Sequence, residues 1–290
     1  MPSILTDLSD PALTQAMEAN LEESYVLLTR IAEAVVYDGP DMLRVCTDVP
    51  HFMVNGVVRI RLSEEKLEDR IEATLGYFRS RRLPMLWMLG PSSRPVNLGD
   101  HLLAHGLMLA SAMPGMVLNL QRLQEVLSLP PDVTIEEATG KEALQHWAQA
   151  GHRSFDMPLD IAQVLATAQD QPGYGSQAPL RSFVAYQEGE PIGASSLYLG
   201  AGVAGLYCVG VVPEARRQGI GAAITTAPLL LARDQGYRIG VLQASPMGEP
   251  VYRRLGFQEH GQFTLYIAGL PPTLNGNGAA SFPHSPAAGE

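Results

Sequence analysis

The chain has 290 residues, 46% of them hydrophobic and 17% charged, with a formal net charge of -10. That length suits two domains of ordinary size, each able to bury its own core, and no apolar run reaches the roughly 18 to 20 residues that span a bilayer. The acidic balance argues against nucleic acid or an anionic membrane as partner and is compatible with a cationic acceptor.

Asp7 and Asp10 stand near an N-terminus that has no basic stretch before an apolar one. It does not read as a secretory signal, so a cytoplasmic location is expected. Cys46 and Cys208 are the only cysteines; far apart in sequence, they are expected as reduced thiols rather than a disulfide framework. Lys66 and Lys141 are the only lysines, and neither stands in a Gly-Lys-Ser/Thr context, which excludes a Walker A loop.

From 10 to about 37 the positions Leu13, Met17, Leu21, Tyr25, Leu28, Ile31, Ala32 and Val35 keep a helical spacing, with Asp10 as cap and Pro11 in the first turn. Strands are expected over 42–47 and 52–62, the second broken by a hairpin-type signal at Asn55-Gly56. Ser63 caps a helix running to about Arg81, followed by a short strand over 85–89, a short helix over 98–105 and extended structure over 107–120 interrupted at Pro114-Gly115. His101 and His105 lie four apart, the spacing of two metal ligands, but no third ligand accompanies them in sequence, so no metal is expected.

Pro130-Pro131 marks a boundary between two domains, 1–129 and 130–270. Beyond it the pattern predicts a strand over 133–137, helices over 140–155 and 159–169, a Gly- and Pro-rich loop over 171–179, and an antiparallel hairpin over 181–199 turning at Glu188-Gly189. A buried strand follows over 204–212, then a helix from 215 toward 234. Pro228 falls inside that helix, and since an interior proline costs about 3 kcal/mol a kink or break is expected there. A strand over 237–244, a short helix over 249–255 capped by Gly256 and a final hairpin over 257–270 complete the pattern, and the Pro-, Gly- and Ser-rich tail 271–290 is expected to be disordered.

The most informative stretch is Val209-Gly210-Val211-Val212-Pro213-Glu214-Ala215-Arg216-Arg217-Gln218-Gly219-Ile220-Gly221-Ala222. An apolar strand there feeds a helix N-terminus, where unpaired N–H groups and the positive end of the helix dipole favour a phosphate. Gly219 and Gly221 allow the ligand to approach the backbone closely.

This stretch resembles the GNAT superfamily of acyl-CoA-dependent N-acetyltransferases, whose signature Gln/Arg-x-x-Gly-x-Gly/Ala is met by Arg216 to Gly221. Leu242-Gln243-Ala244-Ser245 followed by Val251-Tyr252-Arg253-Arg254-Leu255-Gly256-Phe257 resembles the family's later strand-helix element. The resemblance implies a mixed α/β fold, with a mainly antiparallel sheet flanked by helices, whose fourth and fifth strands splay apart to admit pantetheine. Carried onto this sequence, the backbone of Val209, Gly210, Val211 and Val212 would pair with pantetheine. The N–H groups from Arg217 through Gln218, Gly219, Ile220, Gly221 and Ala222 would hold the pyrophosphate with Arg216 and Arg217 near it, Ser245 would stand beside the cofactor, and Tyr252 beside the thiol as general acid.

A fainter copy lies in the N-terminal half, where 85–89 and 101–107 parallel 240–244 and 251–257. Arg59-Ile60-Arg61-Leu62-Ser63-Glu64 occupies the region of the glycine signature without a glycine. The chain thus resembles a tandem GNAT protein with a degenerate first half and one cofactor per chain.

The resemblance implies transfer of an acetyl group from acetyl-CoA to a primary amine of a small molecule or peptide, by direct attack in a ternary complex, in a monomer or homodimer. An alkyl amine has a reference pKa of about 10.4, so something must remove a proton. The family often places a glutamate on the fourth strand, but 204–212 contains no carboxylate. Water relayed to Glu249, Asp156 or Glu259, or an amine that arrives neutral, are the alternatives. Cys208 as an acyl carrier is set against a small buried hydrophobe. A non-catalytic CoA-binding sensor or structural protein is the reading from another class.

Overall fold

The computed structural model describes residues 4–31, 34–124, 129–170 and 178–269. Its N-terminal half opens with helix α1 (Asp10–Val26), with Pro11 in its first turn, and three short strands, β1 (Val35–Asp38), β2 (Leu43–Cys46) and β3 (Gly56–Val58). Helix α2 (Leu67–Arg79), strand β4 (Met85–Leu89), helix α3 (Leu98–Ala104) and the long strand β5 (Met108–Asn119) follow. The C-terminal half begins with β6 (Val133–Glu137), α4 (Lys141–Phe155), α5 (Leu159–Gln169), β7 (Leu180–Gln187), β8 (Glu190–Gly200) and β9 (Val203–Val211). It ends with α6 (Ile220–Asp234), β10 (Ile239–Gln243), α7 (Glu249–Arg254) and β11 (Gln258–Ala268). The tail 271–290 and most of the loop expected over 171–179 lie outside the described residues.

All eleven strands join one sheet in the order β1-β2-β3-β4-β11-β5-β10-β9-β8-β7-β6. The order is nearly symmetric about the central antiparallel pair of β5 and β11, which face each other from Gln258↔Val117 to Ile267↔Met108. Each of these strands also reaches into the opposite half, β11 pairing with β4 and β5 with β10. The segment β4-α3-β5 therefore mirrors β10-α7-β11. Both short helices end alike: Gly106 (φ 83) and Gly256 (φ 95) take the left-handed conformation, and Leu107 and Phe257 donate back to the carbonyls of Leu102 and Tyr252 at 3.1 and 3.0 Å. This is the Schellman arrangement that glycine permits.

Several elements differ from the sequence pattern for identifiable reasons. Asn55 does not turn a hairpin. Fully buried, it accepts from the Thr47 backbone N–H at 2.7 Å and donates to the carbonyls of Val49 at 2.7 Å and His51 at 3.0 Å, which knots the β2–β3 crossing and leaves Phe52–Val54 as a 3-10 turn. β5 runs unbroken through Pro114-Gly115, where a Cβ on Gly115 would lie 2.6 Å from the Phe263 ring; the glycine serves close packing rather than a turn. The hairpin expected over 257–270 is a single strand, β11, irregular in register between Glu259 and Gln262, where Gly261 has φ 141. The helix expected from 215 begins only at Ile220, preceded by the 3-10 turn Pro213–Ala215.

Pro228 does not break α6. A proline there leaves the Ile224 carbonyl without its helical donor, and the buried Ser195 hydroxyl of β8 supplies one instead at 2.9 Å. Around α2 the core contains Trp87, Phe78 and Tyr266, the last contributed by β11. Around α6 and α7 it contains Leu206, Leu229, Leu242 and Tyr252, while α1, α4 and α5 cover the opposite face.

The exchange of β5 and β11 gives a direct prediction. Segments 1–129 and 130–290 produced apart each lack a central strand and stay unfolded by circular dichroism, whereas mixing them restores a cooperative melt. Independent folding of either segment would contradict it.

Candidate active site

β9 and β10 run parallel and pair only at Gly240↔Ala204 and Val241↔Gly205. Beyond these residues each strand follows its other neighbour, β9 along β8 to Val211↔Gly193 and β10 along β5 to Gln243↔Gly115. The facing edges are thereby left open. The Val212 N–H donates to Ile192 of β8 at 2.9 Å, and the alternation of a strand then turns the N–H groups of Val209 and Val211 toward the open edge.

A bulge sets this phase. Ser196 faces Tyr207 and Ala194 faces Gly210, so three steps on β9 oppose two on β8, with Cys208 at φ 52. The extra residue puts two successive side chains on one face: Tyr207 packs with the core under α1 and Cys208 with that of α4 and α5. Gly210 is required here, because a Cβ would come within 2.7 Å of Ser154 and 2.9 Å of Phe155 at the end of α4.

The β9–α6 connection carries the glycine signature. Arg217 (φ 63) and Gly219 (φ 84) are left-handed, which brings the chain round to the start of α6. The Arg216 guanidinium turns back onto the protein, Nε donating to the Val211 carbonyl at 3.0 Å and Nη2 to the Ser154 carbonyl at 3.2 Å. It braces strand, loop and α4 together, and the exposed cation of the pair is Arg217. Gly221 is helical, and a Cβ there would meet only Val211 Cγ2, at 3.9 Å.

α7 supplies the other wall. The Ser245 side chain accepts from the Gly248 N–H at 3.2 Å and fixes the approach to the helix. Gly248 leaves room for the Tyr252 ring, whose Cε2 would lie 2.8 Å from a Cβ at that position. Tyr252 is 7% exposed and packs edge-on to Phe257. Burial pushes its hydroxyl up to about 12 and the Cys208 thiol up to about 11, so both stay protonated at neutral pH. Two of the carboxylates weighed as a base are engaged, since Glu249 and Glu259 grip Arg253 at 2.7 and 2.9 Å; Asp156 is exposed at the left-handed C-terminus of α4.

The N-terminal half repeats the framework and closes it. β3 and β4 pair in parallel at Gly56↔Leu86 and Val57↔Trp87, but the chain beyond β4 then returns to β3. Arg94 donates its N–H to Ile60 and accepts from Leu62, both at 3.0 Å. The position matching Tyr252 is Leu102, fully buried and without a hydroxyl. His101 and His105 both face Glu68 of α2, at 2.6 and 3.3 Å, a partner that sequence spacing does not reveal.

The mixed sheet with its splayed parallel pair and glycine-bearing helix start matches the GNAT fold that the sequence resemblance implies. Residues 179–259 match the family model described as acetyltransferase (GNAT) domain. No curated protein matches the sequence. Among solved structures, a GCN5-related N-acetyltransferase from Kribbella flavida superposes with a TM-score of 0.67 at 17% identity, covering 88% of this chain and 97% of its own. One from Sphaerobacter thermophilus gives 0.60 at 15%, covering 92% and 95%. A tandem GNAT protein from the clavulanic acid biosynthesis pathway gives 0.56 at 14%, covering 93% and 97%. The chain has a tandem GNAT fold, and the segment that matches the family model lies in its C-terminal half.

Substitution of the two glycines tests the fold and the expected CoA site separately. Gly221→Leu is expected to keep the melting temperature within a few degrees and to weaken CoA binding at least about 100-fold by calorimetry, because the side chain fills the space before the helix. Gly219→Leu additionally strains a left-handed residue by about 1 to 2 kcal/mol and is expected to lower the melting temperature as well.

Proposed function

We propose that the C-terminal half transfers an acetyl group from acetyl-CoA to a primary amine of a small molecule or peptide, by direct attack in a ternary complex. The observation that carries this reading is the open edge of β9, which leads from the glycine-bearing loop toward Tyr252. In this reading the backbone of Val209 to Val212 adds pantetheine as a further strand. The N–H groups from Arg217 to Ala222 hold the pyrophosphate at the start of α6, with Arg217 supplying exposed charge and Arg216 the shape of the loop.

The amine nitrogen attacks the thioester carbonyl carbon, forming the new C–N bond. The Val209 N–H, turned toward the open edge, stabilises the oxyanion. The C–S bond then breaks and the departing thiolate takes the Tyr252 proton, the amine loses its own proton to water, and water returns a proton to the Tyr252 oxygen. With no carboxylate on β9, the reading favours an amine that reaches the cleft neutral.

The Cys208 thiol is held protonated among apolar side chains and has no part in this scheme. Tyr252→Phe is expected to lower kcat by about 100-fold with little change in KM for acetyl-CoA, and Cys208→Ser to retain most activity. The raised value of Tyr252 sets the pH dependence: its proton is present at all pH below about 12, so the rate should rise as the acceptor amine deprotonates and show no alkaline fall up to about pH 10. A thiol-release assay against a panel of amines tests the whole. Binding of acetyl-CoA with no release under any acceptor would favour the non-catalytic sensor.

A further inference from the structure

The structure assigns a positioning role to Asn20, a residue of the N-terminal half that holds the bulge of β9 in register. This assignment rests on the reading of β9 as the strand that aligns acetyl-CoA. Asn20 lies in α1, 0% exposed. Its Nδ2 donates to the carbonyls of Gly200 at 2.9 Å and of Tyr198 and Val203 at 3.3 Å, spanning the turn from β8 into β9. Its Oδ1 accepts from the Tyr207 hydroxyl at 2.7 Å. One amide from the first half thus binds both the beginning of the strand and the residue immediately before Cys208. β9 is built to admit it: a Cβ on Gly205 would lie 1.8 Å from Asn20 Oδ1.

A bulge is one surplus residue, and without an anchor a surplus residue shifts along a strand, because each register places alternate N–H groups on opposite edges. On the far side of Cys208 the close contact of Gly210 with Ser154 and Phe155 provides one anchor. On the near side the Tyr207–Asn20 bond provides the other. Burial raises the Tyr207 hydroxyl above its ordinary value, so it remains a donor throughout the working pH range. Between these anchors the N–H of Val209 is aimed at the open edge, where the thioester carbonyl lies in the proposed reaction. The first half, closed to the cofactor itself, therefore contributes a tie that fixes the geometry of the second.

Tyr207→Phe in the full chain isolates this tie, since the ring and the three carbonyl contacts of Asn20 remain and the substitution is close to isosteric. Backbone hydrogen–deuterium exchange is expected to quicken about tenfold at Gly210 and Val212, whose N–H groups face β8, with α1 unchanged. In the transfer assay kcat is expected to fall about tenfold, with the dissociation constant for CoA within twofold of the parent. Unchanged exchange at Gly210 and Val212 would overturn the assignment, as would an unchanged kcat. So would a loss of protection spread over α1 with a lowered melting temperature, which marks Asn20 as a docking contact only. If the parent protein releases no thiol with any amine, the proposed reaction fails, and the exchange measurement alone then decides the role of Asn20.

Discussion

Two long strands lying antiparallel at the middle of the sheet, β5 and β11, hold its two halves together. Each is the last strand of its own half and completes the sheet of the other. The consequence for the site is specific. A strand that leaves one edge unpaired needs its other edge covered, because buried N–H and C=O groups must find partners. β10 can part from β9 because β5, from the first half, pairs with it along its whole length. The open cleft is therefore a property of both halves, and so is its alignment, since Asn20 of α1 reaches the same strand from the other face.

The two halves show how one framework takes two forms. In each, a short parallel pair is followed by a left-handed residue, Arg59 (φ 54) in the first and Cys208 (φ 52) in the second. In the first half the chain after β4 folds back so that Arg94 bonds to Ile60 and Leu62, filling the edge that would receive a ligand strand. In the second that edge stays free, and a glycine-bearing loop and a buried tyrosine stand on either side of it. Arg94 and Leu102 in the first half, against Gly219 and Tyr252 in the second, mark the difference between a closed copy and an open one.

What the sequence reveals follows from the range of the interactions involved. Gly219, Gly221 and the run from Ser245 to Phe257 are legible because their geometry is local: a left-handed cap, a close backbone approach and a helix end each demand particular residues at fixed offsets. The hairpin of β7 and β8 is legible for the same reason, with Glu188 and Gly189 both at positive φ. The exchange of β5 and β11 is not, because Pro114-Gly115 and Gly261 look like turns until Phe263 and Met17 are seen packed against Gly115. Pro228 looks like a helix break until Ser195 is found on the carbonyl it leaves free. Arg216 reads as a phosphate ligand by position, but its guanidinium is spent on the carbonyls of Val211 and Ser154. Asn20 carries no sequence signal, since the residues it binds lie 178 to 187 positions away.

We propose that the open edge of β9 in the C-terminal half takes one CoA, while the matching edge in the N-terminal half is closed by Arg94. Titration of the 290-residue chain with CoA in a calorimeter counts the sites. One molecule is expected to bind per chain; two per chain, or none, would refute a single open cleft.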